Sequence, residues 1–392
     1  LRAAGGFLMA LDHRVSFVPR FVRELVGATS ATEPTDVGVD DAVVLFADIT
    51  GSTDLAERLA ELGPGGVEEM ASRINAVLGL MIDAIEACGG DITGFAGDAL
   101  VASWPERGDG RAVAAAVEAA VRIQSSVVAD GSEERLSARV GVGRGPLRCL
   151  VLGGLDDRWH SLATGDALAD AGRANDRSEP DAVVVSPAVA GSSGFGRDGH
   201  DVGAGYLRVA LPDTPPGQLT DLELLRPEAA AEELGRLDGF VPLPALVHLE
   251  AGHGDWLPEL RPVTVVFASI ADFDATLPVD VAQRIILEAQ SAASSVEANL
   301  TKISVDDKGV ALLAVMGMPP RSHEDDPRRG VLLAEKFVAA ADAAGVRIHV
   351  GVTTGRVFCG AIGNERRREY TLIGSTVNRA ARLRTHARSS VA

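Results

Sequence analysis

Cysteine and lysine are scarce in this 392-residue chain. The three cysteines, Cys88, Cys149 and Cys359, have no paired spacing, which excludes a disulfide scaffold and indicates a reducing compartment. No apolar run reaches the roughly 18 residues that a membrane-spanning helix needs. The apolar stretch among the first residues is too short for a signal peptide. We therefore predict a cytoplasmic protein with no membrane partner.

Positive charge is also in short supply. The chain has 37 lysine and arginine residues against 55 aspartate and glutamate residues, a formal net charge of -18. Duplex nucleic acid is bound through concentrated lysine and arginine, so we predict no nucleic-acid partner. An anionic nucleotide could bind only through a metal ion or a local cluster of positive charge.

The length exceeds that of a usual single domain, and the sequence repeats itself. The same order of segments returns after about 210 to 220 residues, which indicates a duplicated domain. The matching pairs are "VVLFADI" (43–49) with "TVVFASI" (264–270), "VGVGRGPLRCLVLGG" (140–154) with "VGVTTGRVFCGAIGN" (350–364), and "TGDALADAGRA" (164–174) with "IGSTVNRAARL" (373–383).

Each copy follows the order β-α-β-β-α-β, which is typical of a ferredoxin-like α+β domain. Within it, "LSARVGVGRGPLRCLVLGG" predicts a strand, a turn and another strand. We predict an N-terminal helical segment at 1–41, a first domain at 42–212, a proline-containing connector at 213–260 and a second domain at 261–392. The last copy ends about where its final strand is expected, so we expect a truncated second domain, and further C-terminal domains are possible.

Two carboxylates distinguish the first copy. Asp48 follows its first strand, where the second copy has Ser269, and Asp98 lies in the expected hairpin turn "GFAGDAL". Asp48 alone could cap the following helix, and Asp98 alone could be an ordinary Gly-Asp turn. Side by side, the two suit Mg²⁺ or Mn²⁺ bridging phosphates.

The second copy has polar residues that the first lacks. Asn378 and Arg382 are four residues apart, so they share one helix face, and the first copy has Ala169 and Arg173 instead. The pair could brace its own helix. Alternatively, the asparagine orients a sugar or base and the arginine stabilises charge on a reacting phosphate.

Lys302 is one of only three lysines in the chain. It begins the strand "KISVDDKGV", at the position where the first copy has Gly94. The lysine could be a solvated strand end, or it could donate a hydrogen bond to a purine ring nitrogen.

Together these segments resemble the class III nucleotidyl cyclases, specifically the soluble, tandem-domain type of adenylyl cyclase. The resemblance covers about residues 42–392 and is carried by "FADITGST", "FAGDALVASW", "LRPVTVVF", "KISVDDKG" and "GRVFCGAIGNERRREYTLIGSTVNRAARL". It implies two ferredoxin-like βαββαβ domains packed as a pseudo-twofold heterodimer within one chain. It also implies conversion of ATP to 3′,5′-cyclic AMP and pyrophosphate with two divalent metal ions, Mg²⁺ or Mn²⁺.

The resemblance further implies a role for individual residues. The metal ligands would be Asp48, the Ile49 carbonyl and Asp98, and the triphosphate would be bound by the amides of Thr50, Gly51, Ser52 and Thr53. The adenine ring would be recognised by Lys302, Thr371 and the Leu372 backbone. Asn378 would orient the ribose, and Arg382 would stabilise the transition state. Guanylyl cyclases are expected to have an acidic residue in place of Lys302. A guanylyl cyclase and a silent nucleotide-sensing module remain as alternatives.

A second, degenerate pocket would combine the complementary positions of the two copies. There Ser269 replaces the metal aspartate and Ala169 the asparagine, so we expect no catalysis. Gly94 and Gly172 stand where bicarbonate-regulated relatives are expected to have basic residues, which argues against activation by bicarbonate.

Overall fold

The strand that ends in Asp48 lies within the first of two sheets. The computed structural model describes residues 13–29, 32–60, 64–129, 136–212, 235–252, 259–270, 276–306 and 309–386. Part of the predicted connector, at 213–234 and 253–258, and the end of the chain, at 387–392, lie outside the described residues. The fold class is confirmed at the level of a mixed α+β protein.

Within the described residues the first sheet has eight strands, in the order β2-β3-β1-β4-β6-β8-β7, with β5 paired to β4. Alternate residues of β1 face opposite sides. Val43 and Leu45 pack under two long helices, α3 and α4, whereas Val44, Phe46 and Asp48 face the other way. The strands are β1 Thr35–Thr50, β2 Asp91–Ala96, β3 Ala99–Pro105, β4 Ser137–Leu155, β5 Arg158–Thr164, β6 Ala182–Val185, β7 Gly199–Asp201 and β8 Leu207–Val209. The helices are α1 Arg20–Ala28, α2 Ser52–Ala60, α3 Pro64–Ala87, α4 Arg111–Ala129, α5 Asp166–Asp176 and α6 Pro187–Ala190.

The second half repeats this arrangement. Among its described residues the sheet order is β10-β11-β9-β12-β13, which matches β2-β3-β1-β4-β5 of the first half. The elements are α7 Leu243–Glu250, β9 Glu259–Ile270, α8 Val279–Ser295, β10 Asn299–Asp306, β11 Gly309–Met316, α9 Asp326–Ala344, β12 Ile348–Gly363, β13 Arg368–Ile373 and α10 Ser375–His386.

The expected turn within residues 137–155 is wrong. A single strand, β4, runs through the segment and pairs with β1 along almost its whole length. A bulge in β1 lies opposite Gly145 and Pro146. Because the bulge takes up the proline, which cannot donate to the ladder, the strand continues where we expected a turn.

Two predicted boundaries fall inside strands. β1 begins at Thr35 and β9 at Glu259, before the positions 42 and 261 that we assigned as domain starts. The polar residues before position 42 extend β1 because the carboxylate of Asp36 accepts a hydrogen bond from Arg148 on β4, at 2.6 Å. A polar segment can therefore extend a strand when its charges are paired across the ladder.

The two halves meet through two contacts of the same kind. The Asn75 side chain on α3 accepts a hydrogen bond from the amide of Gly363 at 2.9 Å. In the opposite direction, the Gln283 side chain on α8 accepts from the amide of Gly153 at 2.8 Å. Gly153 and Gly363 are matching positions of the sequence repeat, so each half binds the other with an equivalent helix and strand.

The N-terminal helix packs against both the connector and the second half. Val22 and Val26 of α1 share one buried cluster with Leu249 of α7 and with Val263 and Val265 of β9. The helix that we predicted within residues 1–41 therefore packs against elements that are distant in sequence. None of the helices in the described part of the chain is both long and apolar enough to span a membrane.

The helix that carries Asn378 and Arg382 lies against its sheet at a glycine. A Cβ at Gly351 of β12 would overlap the carbonyl oxygen of Ala380 on α10. The first half has the same close approach, between Gly141 and Ala171. The position of α10 therefore depends on the absence of a side chain at 351.

We expect Gly351→Ala to lower the free energy of unfolding by about 2–3 kcal/mol, because the methyl group must push α10 away from β12. Gly79→Ala is the matched control, since a Cβ there meets nothing within 4 Å and alanine is favoured in a helix by about 1 kcal/mol. Urea unfolding of both variants measures the difference. Equal midpoints would show that α10 does not pack as described.

Candidate active site

The two carboxylates of the first half lie close together at one end of its sheet. Asp48 is opposite Arg139 in the β1–β4 pairing, and its carboxylate accepts from that guanidinium. Asp98 lies in the turn between β2 and β3, where Gly97 has a positive φ of 70°. The hydroxyl of Ser52, at the start of α2, donates to the Asp98 carboxylate.

Asp98 is the carboxylate of this group whose ionised form is destabilised by its surroundings. Burial raises the pKa of its carboxyl, and repulsion from Asp48 raises it further, while the Ser52 hydrogen bond and the nearby Arg139 oppose the change. An ionised Asp98 is therefore held at a cost. A cation between the two carboxylates would remove that cost, because it would replace repulsion with attraction.

The segment between β1 and α2 presents polar groups with few partners. Gly51 has a φ of 91°, and α2 begins at the next residue, so the first amides of the helix have no partner within it. The Thr50 hydroxyl oxygen is buried and has no hydrogen-bond partner among the described residues. Of Thr53 only the backbone is described. Such a helix start suits an anion.

The residues present fit a metal site that a substrate completes. No group of three or more histidine, cysteine, aspartate or glutamate side chains comes together in the described parts of the chain. The available donors are the carboxylates of Asp48 and Asp98 and the main-chain oxygen of Ile49, whose side chain is buried in the core. Two carboxylates with phosphate oxygens and water form an ordinary shell for Mg²⁺.

The expected purine readers lie in the second half. The Lys302 ammonium group on β10 donates to Glu369 on β13 at 3.2 Å. Thr371 and Leu372 follow on the same strand and are buried. Because alternate residues of a strand share a face, Glu369 and Thr371 point the same way.

Asn378 and Arg382 lie one helical turn apart on α10, and both are exposed. Their placement depends on the packing of α10 against β12. The carboxylate group and the Lys302–Glu369 pair are each held by direct contacts.

A cavity of about 120 Å³ lies between the two halves. It is lined by Lys302 and Glu369 from the second half and by Phe46 and Gly94 from the first. Asp48 is two residues beyond Phe46 on the same face of β1, which corresponds to about 7 Å along the strand. The carboxylates and the purine readers therefore face the same boundary between the halves.

The sequence did not predict two residues of this site, Arg139 and Glu369. Arg139 could have been found from the pairing of β1 with β4, because it lies opposite Asp48. The matching pair in the second half is His349 opposite Ser269. Both members of the pair change between the copies. Glu369 could have been found by its position two residues before Thr371, on the same face.

The same cavity reaches the degenerate positions. Gly94 lines it, and so does His160, whose pKa is lowered to about 4 by burial and by the neighbouring Arg158. The imidazole is therefore neutral at physiological pH. Arg173, the counterpart of Arg382, donates to Asp170 at 3.2 Å. The absence of bicarbonate activation stays a prediction.

The family described as the adenylate and guanylate cyclase catalytic domain matches residues 257–391. This region is therefore similar to the catalytic domain of the adenylate and guanylate cyclases. The resemblance that we drew from the sequence motifs is thereby confirmed.

Relatives extend the likeness to most of the chain. Adenylate cyclase type 10 of Oryctolagus cuniculus is 28% identical over 384 residues, which cover 88% of this chain and 24% of that protein. The protein of the same name from Homo sapiens is 26% identical over 381 residues, with the same coverage. The chain thus spans about a quarter of the length of these relatives.

A class III adenylyl cyclase-like ATP-binding protein from Pseudomonas aeruginosa has a similar solved structure. Its TM-score is 0.59 at 14% identity, and the match covers 91% of this chain and 84% of that one. At this identity the likeness supports the fold of a class III cyclase.

We expect Asp98→Asn to raise the melting temperature at pH 7 by about 2 °C. The folded-state pKa of Asp98 is raised, so its ionised form destabilises the folded protein at neutral pH. That destabilisation is lost as the pH falls towards the ordinary aspartate value of about 3.9, so the gain should shrink on acidification. Scanning calorimetry between pH 4 and 8 measures it.

Asp40→Asn is the control for this experiment, because Asp40 is an exposed aspartate in the bulge of β1. Its melting temperature should stay close to that of the wild type. A lower melting temperature for Asp98→Asn than for this control at pH 7 would contradict the proposed strain.

Proposed function

We propose that this chain is an adenylyl cyclase that converts ATP to 3′,5′-cyclic AMP and pyrophosphate between its two halves. The observation that carries the proposal is the division of groups between the copies. The paired carboxylates Asp48 and Asp98 belong to the first half alone, and Lys302 and Asn378 belong to the second, where the first has Gly94 and Ala169. Each half lacks what the other supplies.

We further propose that the halves pair as a pseudo-twofold heterodimer within the chain. The reciprocal contacts of Asn75 with Gly363 and of Gln283 with Gly153 support this pairing, because they relate equivalent elements in opposite directions. The likeness to the Pseudomonas aeruginosa protein over 91% of the chain also supports it.

In this proposal the first half binds the phosphates. Asp48, the Ile49 carbonyl and Asp98 would hold two divalent ions, Mg²⁺ or Mn²⁺. Such ions would lower the pKa of the ribose 3′-hydroxyl and neutralise the triphosphate. The amides of residues 50–53 donate to the triphosphate at the start of α2. Arg139, released from Asp48, adds a positive charge beside it.

The second half binds the nucleoside. Lys302 donates to a ring nitrogen of adenine, and Thr371 and the Leu372 backbone line the same ring. A lysine at this position favours ATP over GTP, because guanine presents an N–H at its ring nitrogen 1 where adenine presents a lone pair.

The reaction needs only orientation and charge stabilisation from α10. The 3′-hydroxyl gives up its proton to solvent as its oxygen attacks the α-phosphorus, the bond from that phosphorus to the bridging oxygen breaks, and pyrophosphate leaves. Asn378 orients the ribose, and Arg382 stabilises the charge that develops on the α-phosphoryl oxygens.

A second candidate function is nucleotide sensing without turnover. The observation in its favour is that Arg139 and Ser52 donate hydrogen bonds to the carboxylates of Asp48 and Asp98. If these contacts persist, a nucleotide could bind without a competent metal site. The two functions differ in whether product forms.

We expect Arg382→Ala to lower kcat about a hundredfold or more, because one donor to a developing oxyanion contributes about 3 kcal/mol. Arg379→Ala is the matched control, since Arg379 is an exposed arginine on the same helix whose guanidinium donates to the Thr376 hydroxyl at 3.4 Å. Cyclic AMP production from ATP with Mn²⁺ gives the measurement. Normal activity of Arg382→Ala would contradict the assigned role.

We expect Asp48→Ala to abolish cyclic AMP production while the protein stays folded. The wild type should turn over ATP faster than GTP in the same assay. If the wild type binds a non-cyclisable ATP analogue but releases no product from ATP or GTP, nucleotide sensing replaces the cyclase proposal.

A further inference from the structure

Arg367 is a buried cation that the proposed reaction does not use. It lies just before β13 in the second half and is 5% exposed. Its guanidinium donates to the carbonyls of Ile92 at 3.2 Å and Phe17 at 3.0 Å, and it lies 5.1 Å from the centre of the Phe95 ring. Each hydrogen bond that this guanidinium makes to a described residue ends on an uncharged main-chain carbonyl.

A guanidinium in such surroundings is held at a cost to the folded chain. Burial lowers the pKa of Arg367, and the carboxylates of Glu369 and Asp91 only partly oppose the change. Removing a charge from water is costly even where the charge is paired. The position of this arginine therefore needs a reason other than stability.

Arg367 joins parts of the chain that are far apart in sequence. Ile92 lies on β2 of the first half, the strand that leads to the turn with Asp98. The other distant acceptors belong to residues 16–28, the first entry segment, which contains α1 and precedes β1. This segment is also bound to β2, because the Asp91 carboxylate accepts from the first two amides of α1 at 3.0 and 2.9 Å.

The first half has an equivalent arginine, Arg158. It lies one residue before the partner of Gly153 in the β4–β5 pairing. Arg367 lies one residue before the partner of Gly363 in the β12–β13 pairing. Because these two glycines are matching positions of the sequence repeat, the two arginines occupy equivalent places.

Each arginine binds the segment that leads into the other half. Arg158 donates to two carbonyls of residues 238–250, the second entry segment, which contains α7; the one at Asp238 is 2.9 Å away. The sequence "FVP" occurs in both entry segments, at 17–19 and at 240–242, directly before α1 and α7. The phenylalanine and the proline of each motif line the cavity between the halves. The entry segments therefore reach the boundary of the proposed site.

We propose that Arg367 is a positioning residue that sets the spacing of the two halves by holding the first entry segment and β2, and that Arg158 does so in the opposite direction. This inference rests on the proposed function. Asp48 and Asp98 belong to one half and Arg382 to the other, so a displacement between the halves separates groups that act on one substrate. A misplacement of about 1 Å can lower a rate about a hundredfold. Arg367 acts through main-chain groups and contacts no reacting atom.

Arg367→Met tests the proposal, because methionine keeps an apolar stem of similar shape and removes the donors. We expect kcat for ATP to fall at least about tenfold and its KM to change by less than about threefold. The ratio of kcat/KM for ATP to that for GTP should stay within about twofold, because the purine contacts are retained. Arg367→Lys keeps the charge without the planar fork and should recover part of kcat.

Arg366→Met is the matched control. Arg366 is the exposed neighbour in the same loop, and the carboxylate oxygens of Asp83 and Glu86 are each 3.7 Å from its guanidinium. Such exposed pairs contribute little, so kcat of this variant should stay within about twofold of the wild type.

Hydrogen exchange of main-chain amides tests the contact without turnover. Arg367→Met should raise exchange at residues 16–28 and leave residues 238–250 close to the wild type. Arg158→Met should give the opposite pattern. If Arg367→Met does not fold, Arg367→Lys is measured in its place, with a smaller change of the same sign expected in both kcat and exchange.

Three results would overturn the inference. If Arg367→Met melts at a lower temperature but keeps the wild-type kcat well below its midpoint, the arginine only stabilises the fold. If its affinity for a non-cyclisable ATP analogue falls as far as kcat, the site is lost rather than misaligned. If the wild type forms no cyclic AMP, the proposed function fails and exchange alone decides: unchanged exchange at residues 16–28 in both Arg367 variants overturns the inference.

Discussion

The reciprocal contact between the halves is the constraint on which the rest of this protein depends. A side-chain amide on a long helix of each half binds the backbone at the matching glycine of the other half. Apolar residues follow the same pattern, since Phe358 and Ile362 of β12 enter the core of the first half and Leu150 and Leu152 of β4 enter that of the second. Each core is therefore completed by the other half, and the proposed site lies along the boundary that this exchange creates.

The proposed site concentrates features that a purely structural interface would avoid. A carboxyl with a raised pKa lies near the end of β1, as does a buried hydroxyl oxygen that has no partner among the described residues, and a partly buried ion pair lines the cavity between the halves. Each carries a cost that ligand binding can remove, because a cation neutralises the carboxylates and a nucleotide supplies hydrogen-bond partners. These costs fall on residues that the proposed function assigns to ligand binding.

Duplication explains how one fold tolerates these costs. The second half keeps the strand order of the first but has Ser269 and His349 where the first has Asp48 and Arg139. The first half has Gly94 where the second has Lys302. Each copy lacks the polar groups that only the other copy uses, so each sheet holds a single set of partly buried polar residues.

Much of this protein could be predicted from the sequence alone. Apolar periodicity and the repeat determined the α+β class and the helices and strands, and the motifs led to the family and to Asp48, Asp98, Lys302, Asn378 and Arg382. The turn expected within residues 137–155 was wrong, because local residue preferences contain no information about a bulge in the neighbouring strand. Tertiary structure alone decided that Arg139 faces Asp48 and that Glu369 meets Lys302. Those contacts join strands that are distant in sequence, and register and sheet curvature, which arise only when the whole sheet packs, bring them together.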